Sequence, residues 1–320
     1  MWRKEQKQLS LADGMVARRK GQNEQLDRIG ELLHWGRIEQ KLSAVYAAGE
    51  GRPAYRPLVM FKALLLQQWY SLSDPELEEA LADRLSFRRF VGLALEEQVP
   101  DHSTLSRYRK QLVAGGLSAW LFDEVNRQLD QRGLMIKRGT LIDASLVEAA
   151  VARPPVEQES ARDPDAEWTN RKGNGPRFGY KAHVGVDLGS GLIRKAVLTS
   201  ARVNDSTMGD ALVSGDEAAV FADKAYDSAA RRAMLARRGI ADGIMRRARW
   251  GTARNPDPAL VARNRALAGM RFAVERTFAA MKQWYGFRRV RYRGLARNEL
   301  QLQIMCIAIN LRRALMLGAA

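Results

Sequence analysis

The hydrophobic pattern of this 320-residue chain changes its period near residue 139. From about residue 22 to 135, apolar residues recur at helical spacing, in segments such as "RPLVMFKALLLQQWYSL". From "GTLIDASLVEA" onward, several short segments alternate as strands do, with helical segments between them. We therefore predict an α+β protein, with an all-helical domain over residues 1–135 and a mixed-sheet domain over residues 136–320.

The helical part ends in basic segments. "SDPELEEAL" is expected to begin a helix with Ser73 or Asp74 as its cap, and "PDHSTLSRYRKQL" another, capped by Asp101 or Ser103. Short helices followed by a basic one resemble a helix-turn-helix, although most small helical bundles contain a similar trio. On this basis we predict a helical DNA-binding domain. The side chains expected to be exposed on its basic helix and to contact DNA are Ser103, Arg107, Arg109 and Lys110.

The second part has the predicted order strand, strand, strand, helix, strand, helix, strand, helix. The segment "ARPPVEQESARDPDAEWTNRKGNGP" is predicted to be a long loop after the first strand. The next two strands form a hairpin that turns at residues 189–191, and a long helix begins near residue 257. This order suits a mixed sheet flanked by helices, as in ribonuclease H-like domains. There the first strand lies at the centre and the fourth runs parallel beside it.

Three acidic residues then become candidates for one site. Asp143 and Asp223 would face each other across neighbouring strands, and Glu275 would reach them from the last helix. Carboxylates without a thiolate or imidazole cluster form a hard oxygen site, suited to Mg²⁺ or Mn²⁺ and not to zinc. Two such ions support in-line phosphoryl transfer on DNA.

Each candidate also has a structural interpretation. Asp143 lies in an apolar strand and is either functional or salt-bridged, and Asp223 could be only a helix cap. The rival acids, Asp187 and Asp205, lie beside predicted turns. On the second strand, Lys181 and His183 face the same side and are both candidate DNA contacts. For His183 a packing or phosphate-contact role is preferred over metal ligation.

The helix around Glu275 carries two stripes. Arg271 and Lys282 lie within about 40° of Glu275 around the helix axis. A neighbouring apolar stripe, expected to pack on a core, consists of Met270, Val274, Phe278 and Met281. The simplest interpretation of the polar stripe is a solvated face with an Arg271–Glu275 pair.

Charge is distributed unevenly along the chain. Residues 1–223 carry 31 Lys and Arg against 31 Asp and Glu, whereas residues 224–320 carry 21 against 5, which accounts for the net charge of +16. The asymmetry indicates a polyanionic partner, with nucleic acid ahead of a membrane surface. The single cysteine, Cys306, excludes an internal disulfide, fits a reducing cytoplasm and is expected to pack in a core. The apolar segment around it is too polar to span a bilayer.

The chain resembles DDE transposases of the bacterial insertion sequence five family. "PDHSTLSRYRKQL", "LIDASLVEAA", "DPDAEWT", "GYKAHVGVDLGSGLI", "ADKAYDS" and "VERTFAAMKQWYGFRRVRYRG" occur in that family's usual order. Its Tyr, Arg, Glu, Lys signature is matched by Arg271, Glu275 and Lys282, while Ala268 stands where the family has Tyr. The resemblance implies that Glu275 is the third metal ligand, and that Arg271 and Lys282 hold DNA phosphates beside it.

The resemblance also implies an activity. A transposase of this kind would bind the terminal inverted repeats of its element as at least a dimer, cleave the ends and join them to target double-stranded DNA. Trp284 and Tyr285 follow Lys282 closely enough to stack on terminal bases. The alternative is that both rings pack in the core. The alternatives are a DNA-binding regulator without catalysis and a structure-specific ribonuclease H-like nuclease.

Overall fold

The computed structural model describes residues 24–43, 55–151, 163–170, 175–248 and 257–318. The described residues pack as two compact units. One contains the residues up to Arg132 together with those from Gln303 onward, and the other is Gly133–Leu302. The first boundary lies within three residues of the expected one at residue 135. The chain from Gln303 onward, by contrast, packs with the helical unit and not with the sheet.

The first unit is helical, as expected. Its helices are α1 (Glu24–Leu32), α2 (Trp35–Ser43), α3 (Pro57–Trp69), α4 (Asp74–Asp83), α5 (Leu85–Val91), α6 (His102–Ala114), α7 (Leu117–Gln131) and the C-terminal part of α12 (Leu295–Met316). Helix α3 is apolar on almost every side and is nearly all buried. The indole Nε1 of Trp69 donates to the carbonyl of Ala308 at 2.8 Å, which joins α3 to α12 within this unit.

Side-chain caps fix where two of these helices begin. Ser73 accepts from the Glu76 amide at the start of α4, and the Glu76 carboxylate accepts from the Ser73 amide. Asp101 accepts from the Thr104 amide at 2.6 Å at the start of α6. Hydrogen bonds from Ser103 and Thr104 lower the pKa of Asp101 to about 2. Of the alternative caps, Ser73 and Asp101 are therefore the ones used.

The second unit is built on a six-stranded mixed sheet. Its strands are β1 (Thr140–Glu148), β2 (Glu167–Asn170), β3 (Pro176–Asp187), β4 (Ile193–Ser200), β5 (Ala219–Ala222) and β6 (Ala241–Ile244). The order is β2-β3-β1-β5-β6, and β4 also pairs with β3. The pairs β1–β5 and β5–β6 are parallel and the others antiparallel. The central first strand and its parallel neighbour are as predicted.

Strand β2 corrects the prediction of an uninterrupted loop after β1. It pairs with the first residues of β3, and Trp168 packs on Phe178 with ring centroids 5.5 Å apart. An edge strand this short is defined by a partner elsewhere in the sequence, so its own residues show no clear alternation.

Helices cover the sheet. They are α8 (Asp205–Met208), α9 (Ala229–Arg237), α10 (Pro258–Ala268), α11 (Phe272–Trp284) and the start of α12. The long helix predicted from residue 257 is interrupted by a 3-10 turn at Gly269–Arg271, where glycine lowers helix stability. Val274, Phe278 and Met281 of α11 are buried as expected. Met270 lies in the turn and is 39% exposed, so its assignment to the apolar stripe was wrong.

Within the described residues, no helix has the length and apolar character needed to cross a membrane. Cys306 is buried in α12, where it packs as expected.

Candidate active site

The register of β1 and β5 brings two acidic residues together. Ile142 of β1 pairs with Ala222 of β5, and Asp143 and Asp223 are the residues that directly follow them. Paired residues of neighbouring strands project to the same face, and the strands lie about 4.8 Å apart. Asp143 and Asp223 are therefore neighbours at the carboxyl end of β5, where sites of parallel sheets gather.

Burial and charge act together on Asp143. Burial raises the pKa of this carboxyl group, and the negative charge of Asp223 raises it further. A hydrogen bond from the Ala144 amide to Oδ1, 2.8 Å long, and the guanidinium of Arg271 act in the opposite direction. The net direction is upward, and burial is its largest cause.

Asp223 also caps a short helical turn. Its Oδ1 accepts from the Ala225 amide at 2.5 Å, at the start of the 3-10 turn Lys224–Tyr226. The cap that sequence offered as an alternative to function is thus present. It engages Oδ1, so the cap and a role for the other oxygen are compatible.

Arg271 reaches Asp143 from the turn before α11. Its Nη2 lies 3.3 Å from Asp143 Oδ2. Its Nε is buried and has no hydrogen-bond partner in the described part of the chain. The guanidinium is therefore only partly satisfied by this pair.

Glu275 is exposed on α11, one turn after Arg271. The described residues contain no group of three or more acidic, histidine or cysteine side chains close enough to hold a metal ion. The structure thus brings Asp143 and Asp223 together but does not draw Glu275 into a three-carboxylate cluster. The negative charges of Asp143 and Asp223 would repel a third carboxylate. In this arrangement the charge beside Asp143 is the positive charge of Arg271.

A second polar group lies near the two aspartates. Lys181 Nζ is 2.8 Å from Asp205 Oδ1 and donates to the Val203 carbonyl at 2.7 Å. The hydroxyl of Tyr226 is buried without a hydrogen-bond partner in the described residues. Burial raises the pKa of Tyr226, and the charges of Asp143, Asp205 and Asp223 raise it further. Asp205 is therefore in the neighbourhood of the site, although it is held by Lys181.

His183 lies in the interior of the sheet unit. It is fully buried and its Nε2 is 2.9 Å from Thr199 Oγ1. Burial lowers the pKa of His183 to about 4, Lys181 lowers it too, and Asp205 raises it. The ring is neutral near pH 7 and is enclosed by protein, so this conformation favours the packing role over the phosphate contact.

The rival acid Asp187 has a structural role. It is fully buried and accepts from the amides of Ile136 and Lys137 and, at 2.6 Å, from the Ser190 hydroxyl. These bonds hold the turn between β3 and β4. No hydrogen bond or ion pair joins it to Asp143 or Asp223 among the described residues.

The residues after Glu275 differ in exposure. Lys282 is partly exposed, Trp284 is 66% exposed and Tyr285 is 6% exposed. Tyr285 therefore belongs to the core, while the Trp284 ring is accessible to a ligand.

On helix α6, the four side chains expected to contact DNA separate into two groups. Ser103, Arg107 and Lys110 are exposed. Arg107 Nη2 donates to the Ser103 hydroxyl at 3.2 Å. Arg109 is buried and forms an ion pair with Asp74, so its expected exposure was wrong. The sequence alone could not show that Arg109 is buried. A buried arginine needs an anionic partner, and its partner Asp74 lies elsewhere in the sequence.

The donor set fits a hard divalent cation. Asp143 and Asp223 offer carboxylate oxygens side by side, and their repulsion is the interaction that a cation would relieve. Glu275 lies on α11, one turn after Arg271, the cation that already contacts Asp143.

Family models match most of the chain. Residues 135–311 match the family described as Transposase DDE domain, and residues 15–111 match the family described as Transposase domain. The chain belongs to the Transposase DDE domain family. It is therefore a DDE transposase, an enzyme of DNA cleavage and strand transfer, and the match is consistent with the insertion sequence five type.

Two solved structures show a distant likeness. The chain is 12% identical to the piggyBac transposase in a synaptic complex with hairpin DNA, with a TM-score of 0.42 over 93% of this chain and 74% of that chain. It is 10% identical to the transposase of a pre-cleavage Mos1 transpososome, with a TM-score of 0.21 over 89% of this chain and 86% of that chain.

Proposed function

We propose that this enzyme binds the terminal inverted repeats of an insertion sequence, cleaves the DNA at those ends and joins them to target DNA. The observation that carries the proposal is the position of Asp143 and Asp223, which directly follow the paired residues Ile142 and Ala222 of the adjacent parallel strands β1 and β5. The match to the Transposase DDE domain supports it.

Asp143, Asp223 and Glu275 would hold Mg²⁺ or Mn²⁺, with two ions as the expected number. When bound, such ions lower the pKa of a water or hydroxyl and offset charge on the leaving oxygen. Asp143 and Asp223 would provide the fixed part of the site, because Asp143 lies within the central strand β1 and Asp223 directly follows β5. Glu275 would complete it from α11 when DNA and cation are present.

The cations on α11 would position the DNA. Arg271 forms an ion pair with Asp143 in this structure. Once that carboxylate binds a metal ion, the guanidinium would bind a DNA phosphate instead. Lys282 would contact the backbone further along the helix, and the exposed ring of Trp284 would stack on a terminal base. Lys181 and His183 would support the sheet beneath the site.

Helix α6 would read the element end. Ser103, Arg107 and Lys110 present an exposed polar face suited to base edges and phosphates. Arg109 would instead stabilise the helical unit through Asp74. Because two ends are processed in one event, the active complex would be at least a homodimer, working on DNA in the bacterial cytoplasm.

The direct test is incubation of the protein with duplexes carrying its own flanking element ends, target DNA and Mg²⁺. Joined products support the proposal. Cleavage of branched DNA without joining would indicate a structure-specific nuclease. Binding without cleavage would indicate a regulator.

A further inference from the structure

A short extended segment, residues 288–290, lies along β1 beyond the active site. The Glu148 amide donates to the Arg288 carbonyl at 2.9 Å, and the Val290 amide donates to the Glu148 carbonyl at 2.8 Å. Strand β3 occupies the other edge of β1 along its whole length. Strand β5 pairs with residues 140–142 on the same edge as residues 288–290. Asp223 and this segment therefore follow one another along a single edge of β1.

The segment is held firmly and presents its arginines outward. Phe287 and Val290 are buried on either side of it, while Arg288 and Arg289 are exposed. The Phe287 amide donates to the Met281 carbonyl at 2.9 Å, which ties the segment to the end of α11. Backbone fixed in this way reduces the entropy lost when the side chains bind a ligand.

Positive charge is in excess at this point. Glu148 Oε1 lies 3.0 Å from Arg177 Nη1, and Glu148 Oε2 lies 3.6 Å from Arg289 Nη2. Arg288, next to Arg289 in the chain, contributes a further exposed cation to this segment. Exposed ion pairs of this kind contribute little to stability, so a phosphate can displace the carboxylate at small cost.

The spacing suits duplex DNA that enters the active site. Glu148 lies five positions beyond Asp143 in β1. At about 3.3 Å per residue this is about 16 Å, or about five base-pair steps of 3.4 Å.

We propose that Arg288 and Arg289 bind the phosphate backbone of duplex DNA, about five nucleotides from the bond that Asp143 and Asp223 act on. This inference rests on the proposed function and adds to it a surface that holds the duplex irrespective of base sequence. Arg177 would take part, and Glu148 would limit the affinity.

The test compares charge-matched variants of the full chain. The Arg288→Gln, Arg289→Gln double variant removes the two cations. The control, Arg237→Gln with Arg238→Gln, removes two exposed cations at the end of α9, just before the amino end of β6 and so at the opposite end of the parallel strands. Binding is measured from about 0.05 to 0.2 M salt on an element-end duplex and on an unrelated duplex.

Each lost phosphate contact should reduce the slope of log affinity against log salt by about 0.9, which is about tenfold in affinity at 0.1 M salt. We expect a tenfold to hundredfold loss on both duplexes for the Arg288, Arg289 variant and little change for the control. Glu148→Gln should shift affinity in the opposite direction, because it removes the carboxylate and leaves the backbone bonds. Phosphate-ethylation interference about five nucleotides from the cleavage site should disappear in the double variant.

Equal salt slopes for the two double variants, or an unchanged affinity in Glu148→Gln, would overturn the inference. These outcomes are separate from the proposed function, which is tested by whether the wild-type protein joins element ends. If the wild-type protein joins element ends but the Arg288, Arg289 double variant binds DNA as tightly as wild type, only the proposed arginine surface is ruled out.

Discussion

Arg271 and Asp143 form an ion pair across 128 positions of sequence, with Nη2 3.3 Å from Oδ2. The pair joins the turn before α11 to the central strand. A cation and a half-buried carboxylate thus meet where family resemblance places a metal ion and a DNA phosphate. We propose that both groups exchange partners when DNA and a divalent cation bind. The Asp143 carboxylate then binds the metal ion, and the Arg271 guanidinium binds a phosphate.

Arg271→Gln should therefore strengthen metal binding in the absence of DNA, because the guanidinium competes for Asp143. A partly exposed pair is worth at most about 1 kcal/mol, so the gain should be up to about fivefold in Mn²⁺ affinity. Titration followed by electron paramagnetic resonance measures it. Arg276→Gln is the control, since that side chain lies on the same helix over the Phe272 ring. Equal Mn²⁺ affinity in both variants would show that Arg271 does not compete.

His183 should give the stability of the sheet unit a particular pH dependence. Its pKa is about 4 when folded against 6.5 ordinarily, so the unfolded chain binds more protons between those values. Stability contributed by the neutral ring is present above about pH 6.5 and is lost as pH falls toward 4, by up to about 3 kcal/mol. Asp205 and Lys181 are the charged groups that act on the ring.

The measurement is urea unfolding of wild type and His183→Gln from pH 7 to 4. Glutamine keeps a partner for Thr199 but does not titrate, so the difference between the two curves should decline across this range. A constant difference would contradict the buried, neutral assignment.

Substitutions at Trp284 and Tyr285 should have different effects, because Trp284 is proposed to contact DNA and Tyr285 lies in the core. Trp284 is 66% exposed, so Trp284→Ala should leave thermal stability nearly unchanged and slow end cleavage. Base stacking is worth about 1–3 kcal/mol, and an element end with a melted terminal pair should recover part of the rate. Tyr285→Ala, at a 6% exposed position, should instead lower stability by about 3 kcal/mol. A stability loss in Trp284→Ala without rescue by the melted end would place the indole in the core.

Arg109 and Lys110 should have opposite phenotypes although they are adjacent. Arg109→Ala leaves Asp74 without its buried partner and should destabilise the helical unit by about 3 kcal/mol. Lys110→Ala should leave stability unchanged and weaken DNA binding, with a salt slope lower by about 0.9 if one phosphate contact is lost. Thermal unfolding and salt-dependent binding of both variants measure the two effects. Loss of stability in Lys110→Ala would contradict the exposed position of that side chain.

Much of the fold was predictable from local sequence patterns. The alternation in "GTLIDASLVEA" located β1, and the hairpin between β3 and β4 followed from its turn residues. What sequence missed depends on partners far along the chain. Strand β2 forms only by pairing with β3, Arg109 is buried only because Asp74 meets it, and α12 contributes to both units.

The site was predictable to a similar extent. Asp143 was found within a strand pattern and Asp223 at the end of one, and the register brings them together. The pairing of Arg271 with Asp143 was not predicted, since helical spacing pointed to Glu275 as its partner. The arginines at 288 and 289 stood in a visible basic run, but only their bonds to Glu148 place them on the edge of β1.

The most direct test of the central claim is single-turnover cleavage of an element end in Mg²⁺ by Asp143→Asn, Asp223→Asn and the double variant. Asparagine keeps the shape of both side chains, and at position 223 it can still cap the turn. Each single change should lower the rate by at least about a thousandfold with DNA binding retained, and the double variant should be little worse, because residues that act as one unit are not additive. Near wild-type cleavage by either single variant, or losses that multiply in the double variant, would contradict a shared site.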